Sequence, residues 1–158
     1  MTKLRPLIQW QDDALREKKP VKSSLKPGLT KTVRIAVDRG RTIGFMGEDG
    51  RVYGTPSLVL DFEYACHGLI ADHLDPGEDT VGAHVSVDHL APTLEGDTVE
   101  VALTVTKVDR RMVEIEGTMR DSFEQCGRGL HRRFVVDVAR QHARLADRKA
   151  KLDALRKS

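Results

Sequence analysis

Residues 55–77, TPSLVLDFEYACHGLIADHLDPG, are the stretch from which the rest of the fold follows. The Thr-Pro pair at its beginning predicts a helix start, because threonine accepts hydrogen bonds from free backbone N–H groups and proline has no N–H to lose there. The Asp-Pro-Gly turn at its end stops the helix, which should run from Pro56 to about Leu74. Its expected buried apolar stripe consists of Val59, Leu60, Cys66 and Ile70.

Alternating side chains predict strands on both sides of this helix. Before it, residues 31–37, KTVRIAV, predict a first strand. After it, four half-buried antiparallel strands are predicted at residues 80–90, 98–108, 112–121 and 126–138. Under strict alternation Gly82 lies on one face of the 80–90 strand. The opposite, apolar face carries Val81, Ala83, Val85, Val87 and His89.

A sheet with one apolar face has to bury that face, and the predicted helix is the only long element with a matching stripe. The predicted fold is therefore α+β, with a curved antiparallel sheet wrapped around one central helix. The loop at residues 38–54 is rich in glycine and charge, and a short helical turn is expected near TIGFM, residues 42–46. Gly127 and Gly129 inside the last strand predict a bulge or a close backbone approach.

Two charged ends flank this single domain. We interpret residues 1–30 as a short helix followed by an arm or linker, residues 31–138 as the domain, and residues 139–158 as a charged C-terminal helix. Along the last helix an apolar residue recurs every seven positions, so that this stripe packs on the domain, packs on a partner subunit, or frays. The stripe consists of Val138, Leu145 and Leu152.

The charge distribution bears on possible partners. Residues 1–31 hold eight Lys/Arg and three Asp/Glu and residues 139–158 hold seven and two, so each end is +5 and, with a total of +2, the middle is −8. Basic ends suit nucleic acid, but Trp10 is the only aromatic residue in either end, and no nucleic-acid partner is expected. No apolar run reaches the roughly 20 residues that cross a bilayer, and no signal peptide is visible, so we expect a cytoplasmic protein without a membrane partner.

No metal site is predicted. Cys66 and Cys126 lack metal-like spacing and are interpreted as buried thiols. Two histidines on the helix have aspartates nearby, but they share no face with Glu63 and form no complete ligand set. These residues are His67, His73, Asp61 and Asp72.

Three side chains are candidates for chemistry. Glu63 lies four residues after Val59 and three before Cys66, so it projects from the apolar stripe, where a carboxylate must be paired, hydrated or protonated. His89 ends the apolar face of its strand, and Thr55 lies at a helix start whose N–H groups can hold a developing oxyanion. Each also has a structural interpretation: an ion pair for the glutamate, a satisfied core histidine, and a helix cap for the threonine.

Three segments of the chain resemble those of a known family: VYGTPSLVLDFEYAC (52–66), VGAHVSVDHLAPTLEGDTVEV (81–101) and RDSFEQCGRGLHRRFVV (120–136). They resemble the fluoroacetyl-CoA thioesterase-like family of hot-dog proteins, and the resemblance runs from about residue 27 to residue 138. That family has a Thr before the central helix, a Glu eight residues later, and a His at a strand end with a Gly seven residues earlier.

The resemblance implies a hot-dog fold and hydrolysis of an acyl-CoA with a short or small acyl group. It implies that Thr55, Glu63 and His89 are catalytic and that Gly82 binds substrate. Coenzyme A is then part of the substrate, no further cofactor is expected, and the protein forms a homodimer or higher homo-oligomer. Pro56 replaces the glycine of the fluoroacetyl-specific enzyme, and no clear counterpart of its aromatic lid is seen, so the sequence does not predict specificity for a fluorinated acyl group.

Alternatives remain open at this point. A non-catalytic acyl-CoA-binding or regulatory hot-dog protein would use the same groove without turnover. A hot-dog hydratase acting on an enoyl-CoA needs an Asp/His pair in another context, which the sequence does not contain. For hydrolysis, Glu63 acts as general base or as nucleophile, and Thr55 as hydroxyl donor or nucleophile.

Overall fold

One helix lies against a five-stranded antiparallel sheet in the computed structural model, which describes residues 18–157. Helix α1 spans Thr55–Ala71 and helix α2 spans Val138–Lys157. The strands are β1 (Thr30–Ala36), β2 (Thr42–Ile43), β3 (Val52–Tyr53), β4 (Glu78–His89), β5 (Thr98–Asp109), β6 (Met112–Arg120) and β7 (Gln125–Asp137). The main sheet has the order β1-β5-β6-β7-β4, and β2 pairs with β3. The predicted order of one strand, one helix and four strands is confirmed.

The loop before α1 differs from its prediction. In place of a helical turn at residues 42–46, it has 3-10 turns at Arg39–Arg41 and Glu48–Gly50, with the short strands β2 and β3 between and after them. Contacts with α1 explain the path of this loop, because Arg41 donates two hydrogen bonds to the Asp61 carboxylate, at 2.9 and 3.2 Å. The Tyr53 hydroxyl donates to the same carboxylate at 2.6 Å, so both ends of the loop are tied to α1.

The buried face of α1 only partly matches the predicted stripe, because it includes Cys66 and Ile70 but not Leu60. It consists of Leu58, Phe62, Ala65, Cys66, Leu69 and Ile70. Leu60, expected to be buried, is 51% exposed, because a 3.6-residue period that starts at Leu58 turns position 60 toward solvent. The helix ends at Ala71, before the predicted end, where Lys31 donates to the Gly68 carbonyl and to the Asp72 carboxylate.

Two glycines allow the sheet to approach α1 closely. Gly117 of β6 and Gly129 of β7 are register partners, and the ring of Phe62 lies against both. A Cβ at Gly117 would lie 2.6 Å from the ring, and one at Gly129 would lie 2.5 Å from it. The close approach predicted for Gly129 is therefore confirmed.

We expect Gly129→Ala to destabilise the protein, since its added methyl group would overlap the Phe62 ring. Overpacking of this kind costs about 1–3 kcal/mol of unfolding free energy. Urea unfolding measures it, with Gly40→Ala as the control, because a Cβ there meets nothing closer than 3.4 Å. Equal midpoints for the two variants would contradict the packing described.

A β-bulge changes which residues of β4 face the helix. Gly82 pairs with Arg133 and His84 with Arg132, so Ala83 is an extra residue in the strand. Before it the even positions face α1, and after it the odd positions do, so Gly82 and His89 share the inner face. The predicted alternation was wrong for Val81 and Ala83, which pack on the outer face with Phe134, Val136 and Met112.

The two ends of the described chain differ in burial. Leu25, within the predicted arm, is buried in the core at 3% exposure. Residues 18–29 are irregular, with turns at residues 23–24 and 27–28. The prediction of a short helix at the beginning of residues 1–30 falls on residues outside the described part of the chain. No residue of α2 is buried, and Leu145 and Leu152 of its stripe are exposed.

Among the described residues, no helix combines the length and the apolar character that a membrane span requires.

Candidate active site

Thr55 and His89 are brought together at the start of α1. Gly54 takes the N-cap position, and Thr55 is the first helical residue and makes no capping bond. The predicted capping role is therefore wrong, because the helix begins one residue earlier than expected. The hydroxyl is directed instead at the imidazole, with Oγ1 2.8 Å from Nδ1 of His89.

The imidazole of His89 is held in a largely apolar setting. Its Nε2 is buried and has no hydrogen-bond partner among residues 18–157. The ring of Tyr53 lies edge-on to it, with ring centroids 6.4 Å apart. Burial lowers the pKa of His89 below its ordinary value, and the backbone of Ala91 opposes this only in part. A neutral imidazole that contacts a hydroxyl is suited to accept a proton from it or from a water molecule.

A cavity of about 490 Å³ opens at the Thr55–His89 pair. Its apolar walls are Ile43, Phe45, Met46, Val52, Leu90 and Pro92. Phe45 is 93% exposed and Met46 is 75% exposed, so both stand at the mouth of the cavity. An aromatic side chain of the 38–54 loop, Phe45, therefore lines the cavity beside the candidate site, a placement that was not evident from the sequence pattern.

Glu63 lies in a second group, two turns further along α1. Its Oε1 is 3.2 Å from Nη1 of Arg133 and 3.7 Å from Nε2 of His131. A Cβ at Gly82 would lie 2.7 Å from the same oxygen, so the absence of a side chain there makes room for the carboxylate. The structure thus brings Gly82 to Glu63 rather than to His89.

Sequence reasoning missed Arg133, which donates to this carboxylate, and His131, which lies beside it and accepts from Arg133. Arg133 is 6% exposed and donates to the Thr80 hydroxyl at 2.8 Å and to its carbonyl at 3.0 Å. Nδ1 of His131 lies 2.6 Å from the carbonyl of His84, which only accepts, so Nδ1 carries the proton and Nε2 accepts from Arg133 at 2.9 Å. Their position on the inward face of the last strand, where apolar residues are expected, was the signal available in the sequence.

The two groups are separate within one chain. Thr55 and Glu63 are eight residues apart, which corresponds to about 12 Å along a helix axis. Among residues 18–157, no hydrogen bond joins Glu63 to His89. The expected meeting of the glutamate and the histidine is thus replaced by a hydroxyl–imidazole pair and a carboxylate–guanidinium pair on the same side of α1.

Comparison with known proteins assigns this chain to a family. The model of the fluoroacetyl-CoA-specific thioesterase family matches residues 37–139. The chain belongs to the fluoroacetyl-CoA-specific thioesterase family. It is a thioester hydrolase, and a fluoroacetyl-CoA thioesterase of Streptantibioticus cattleyicolor is 31% identical to it over 94 residues, 60% of this chain and 68% of that protein.

Solved structures show the fold of this thioesterase to be that of the hot-dog proteins. A hot-dog-like protein of Thermanaerovibrio acidaminovorans matches with a TM-score of 0.71 at 22% identity, over 77% of this chain and 91% of its own. A hypothetical thioesterase superfamily member of Thermus thermophilus matches with a TM-score of 0.76 at 24% identity, over 82% of this chain and 97% of its own. A mutant fluoroacetyl-CoA-specific thioesterase, crystallised with fluoroacetate and CoA, matches with a TM-score of 0.67 at 27% identity, over 73% and 98%. The predicted hot-dog fold is confirmed.

The helical histidine and aspartate weighed as metal ligands have other partners in this thioesterase. His67 Nε2 lies 2.6 Å from the Asp79 carboxylate at the surface. Asp61 accepts from Arg41 and Tyr53 as described above. Among the described residues, no group of three His, Cys, Asp or Glu side chains is placed to hold a metal ion.

The pKa of His89 predicts an acid limit for activity. Because burial lowers this pKa, the imidazole stays neutral at neutral pH and gains a proton only below its ordinary value of 6.5. kcat/KM should therefore be flat near neutrality and fall as the pH drops through the lowered pKa, since protonated His89 accepts no proton. A pH profile of kcat/KM measures this limb. The acid limb should persist in His131→Asn. Its loss in that variant would show that His131, and not His89, is the group whose protonation stops activity.

Proposed function

We propose that this thioesterase hydrolyses an acyl-CoA to the free acid and coenzyme A, with Thr55, Glu63 and His89 as catalytic residues and Gly82 at the substrate. The observation that carries the proposal is the 2.8 Å contact between Oγ1 of Thr55 and Nδ1 of His89, two residues that line the cavity described above. The Streptantibioticus relative, named as a fluoroacetyl-CoA thioesterase, supports an acyl-CoA substrate.

The chemistry begins with neutral His89. Its imidazole takes a proton from the Thr55 hydroxyl or from a water in the cavity, and the oxygen so activated attacks the thioester carbonyl carbon. The tetrahedral intermediate then collapses, the C–S bond breaks, and the thiolate of coenzyme A takes the proton back from the imidazolium. If Thr55 is the nucleophile, water releases the acyl group from its oxygen in a second, equivalent step. If water attacks directly, Glu63 is the alternative base, and the proton that it takes up goes to the thiolate.

The start of α1 supplies positive potential for the developing oxyanion. The first N–H groups of a helix have no intrahelical acceptor, and here they belong to Thr55 and Ser57, because Pro56 has none and Leu58 already donates to Gly54. A carbonyl oxygen placed above them gains both donors and the positive end of the helix dipole. Removal of one such donor from an oxyanion hole costs roughly 10²–10³-fold in kcat.

A homodimer is part of the proposal, because β4 lies at an edge of the sheet. Residues 84–86 on this strand are exposed, and an open edge offers unpaired backbone groups to a second copy. Antiparallel pairing of two β4 strands about a two-fold axis at position 86, with Ala83 again the extra residue, would set position 82 of one copy opposite position 89 of the other. Glu63 of one copy would then approach the Thr55–His89 pair of the other and complete the site.

Release of free thiol from a panel of acyl-CoAs tests the proposed function. We expect turnover that depends on enzyme concentration and saturates with substrate. Saturable binding of acyl-CoA without release of thiol would contradict hydrolysis and favour an acyl-CoA-binding protein. Loss of an enoyl absorbance without thiol release would favour a hydratase.

A further inference from the structure

The cavity at the Thr55–His89 pair is apolar over most of its wall. Around the pair lie two aliphatic residues of β2 and β3, Ile43 and Val52, and the exposed side chains of Phe45, Met46 and Leu90. Large apolar side chains grouped at one opening mark a binding surface, whereas scattered ones need no explanation. At about 490 Å³ the cavity has room for the hydrocarbon of an acyl group, and its exposed apolar rim leaves it open to solvent on one side.

Within one chain, no charge is available to an acyl group in this cavity. None of the described residues that line it is Lys, Arg, Asp or Glu. Its one titratable group besides Tyr53 is His89, which is neutral near pH 7 because burial lowers its pKa. A carboxylate at the end of the acyl group, as in a succinyl thioester, would lose its hydration there without gaining a partner.

The acyl group, rather than the pantetheine arm, suits these walls. The arm carries two amides and a hydroxyl, and each of these polar groups requires a hydrogen-bond partner when it is buried. The walls formed by Ile43, Phe45, Met46, Val52 and Leu90 present hydrocarbon and a thioether. An alkyl or aryl group needs no such partner and gains free energy from every methylene removed from water.

We propose that the substrate is a thioester of an uncharged, apolar acyl group larger than acetyl, such as a straight, branched or aromatic acid, whose hydrocarbon fills the cavity walled by Phe45, Met46 and Leu90. The inference rests on the proposed acyl-CoA thioesterase function and specifies its substrate class. An acetyl or fluoroacetyl group would leave most of the cavity to water. Phe45 and Met46 are then the specificity-determining residues at its mouth.

Steady-state kinetics with acetyl-, fluoroacetyl-, butyryl-, hexanoyl-, phenylacetyl- and succinyl-CoA test the substrate class. We expect kcat/KM to rise about two- to fourfold per methylene from acetyl to hexanoyl, as methylenes leave water. Succinyl-CoA should be at least tenfold worse than butyryl-CoA. Equal or better turnover of acetyl-, fluoroacetyl- or succinyl-CoA would overturn the inference and leave the thioesterase function intact, whereas no turnover of any thioester would overturn that function too.

Variants at the mouth of the cavity test whether Phe45 and Met46 determine the preference for larger acyl groups. Phe45→Ala combined with Met46→Ala should lower the ratio of hexanoyl to acetyl kcat/KM at least fivefold. Phe123→Ala is the matched control, because Phe123 is 78% exposed and does not line the cavity. An equal rise in KM for every thioester would indicate that the cavity holds the pantetheine arm and would overturn the assignment.

Discussion

Replacing His89 by alanine should lower kcat by about 10²–10⁴-fold, the usual contribution of a positioned general base. The expectation rests on the contact of Nδ1 with the Thr55 hydroxyl and on an imidazole kept neutral by burial. Thr55→Val removes the hydroxyl and keeps the shape of the side chain. If the two groups act as one unit, the double variant should be little worse than the worse single variant.

Free-thiol release under saturating substrate measures this effect, and circular dichroism checks that the variants fold. His73→Ala is the control histidine, since it lies beyond the end of α1 and outside the cavity. Full activity of His89→Ala would show that the Thr55–His89 contact has no role in catalysis. Strictly additive losses would show that Thr55 and His89 act on different steps.

Glu63→Gln should also lower kcat by about 10²–10⁴-fold, because the amide keeps the size of the side chain and removes its capacity as base or nucleophile. KM should change little, since the amide still accepts from Arg133 where the carboxylate does now. Glu124→Gln is the matched control on an exposed turn. If Glu63→Gln unfolds at a lower denaturant concentration but keeps its kcat, Glu63 has only a structural role as the partner of Arg133.

Mixed dimers separate a shared site from a site within one chain. Copies carrying Glu63→Gln and copies carrying His89→Ala are co-expressed with different tags, and the hybrid is purified through both. If each site joins Glu63 of one copy to His89 of the other, one of the two sites is intact and the hybrid recovers about half of the wild-type kcat. A hybrid as inactive as the single variants would confine each site to one chain.

Much of the fold could be predicted from the sequence because its signals are local. The Thr-Pro and Asp-Pro-Gly boundaries and the period-2 strands depend only on neighbouring residues. The one-residue error at Thr55 followed from taking its side chain as the cap, although Gly54 fills that position without a side chain. The bulge at Ala83 escaped prediction because nothing in the local pattern says which residue of a strand is extra.

Three candidate side chains could be identified from the sequence, but how the structure groups them could not, and their catalytic role stays a prediction. Thr55, Glu63 and His89 were each identifiable as polar residues at positions where burial or a helix end gives them unusual surroundings. Their partners are set by tertiary structure, since Arg133 reaches Glu63 across 70 positions of sequence. A strand position reveals that an arginine faces inward, but the carboxylate it meets depends on how the helix lies over the sheet.

The extra residue at Ala83 gives the segment between Gly82 and His89 one residue of slack. Seven positions separate the two, an odd number that a regular strand would divide between opposite faces. A deletion of one residue here could be absorbed by straightening the strand, and both residues would keep their orientation. An insertion would make the separation eight, against six in the paired segment of β7, so two residues would have to bulge out or His89 would lose its pairing with Gly127. Gap placement in this segment should therefore distinguish relatives that keep both residues on the inner face.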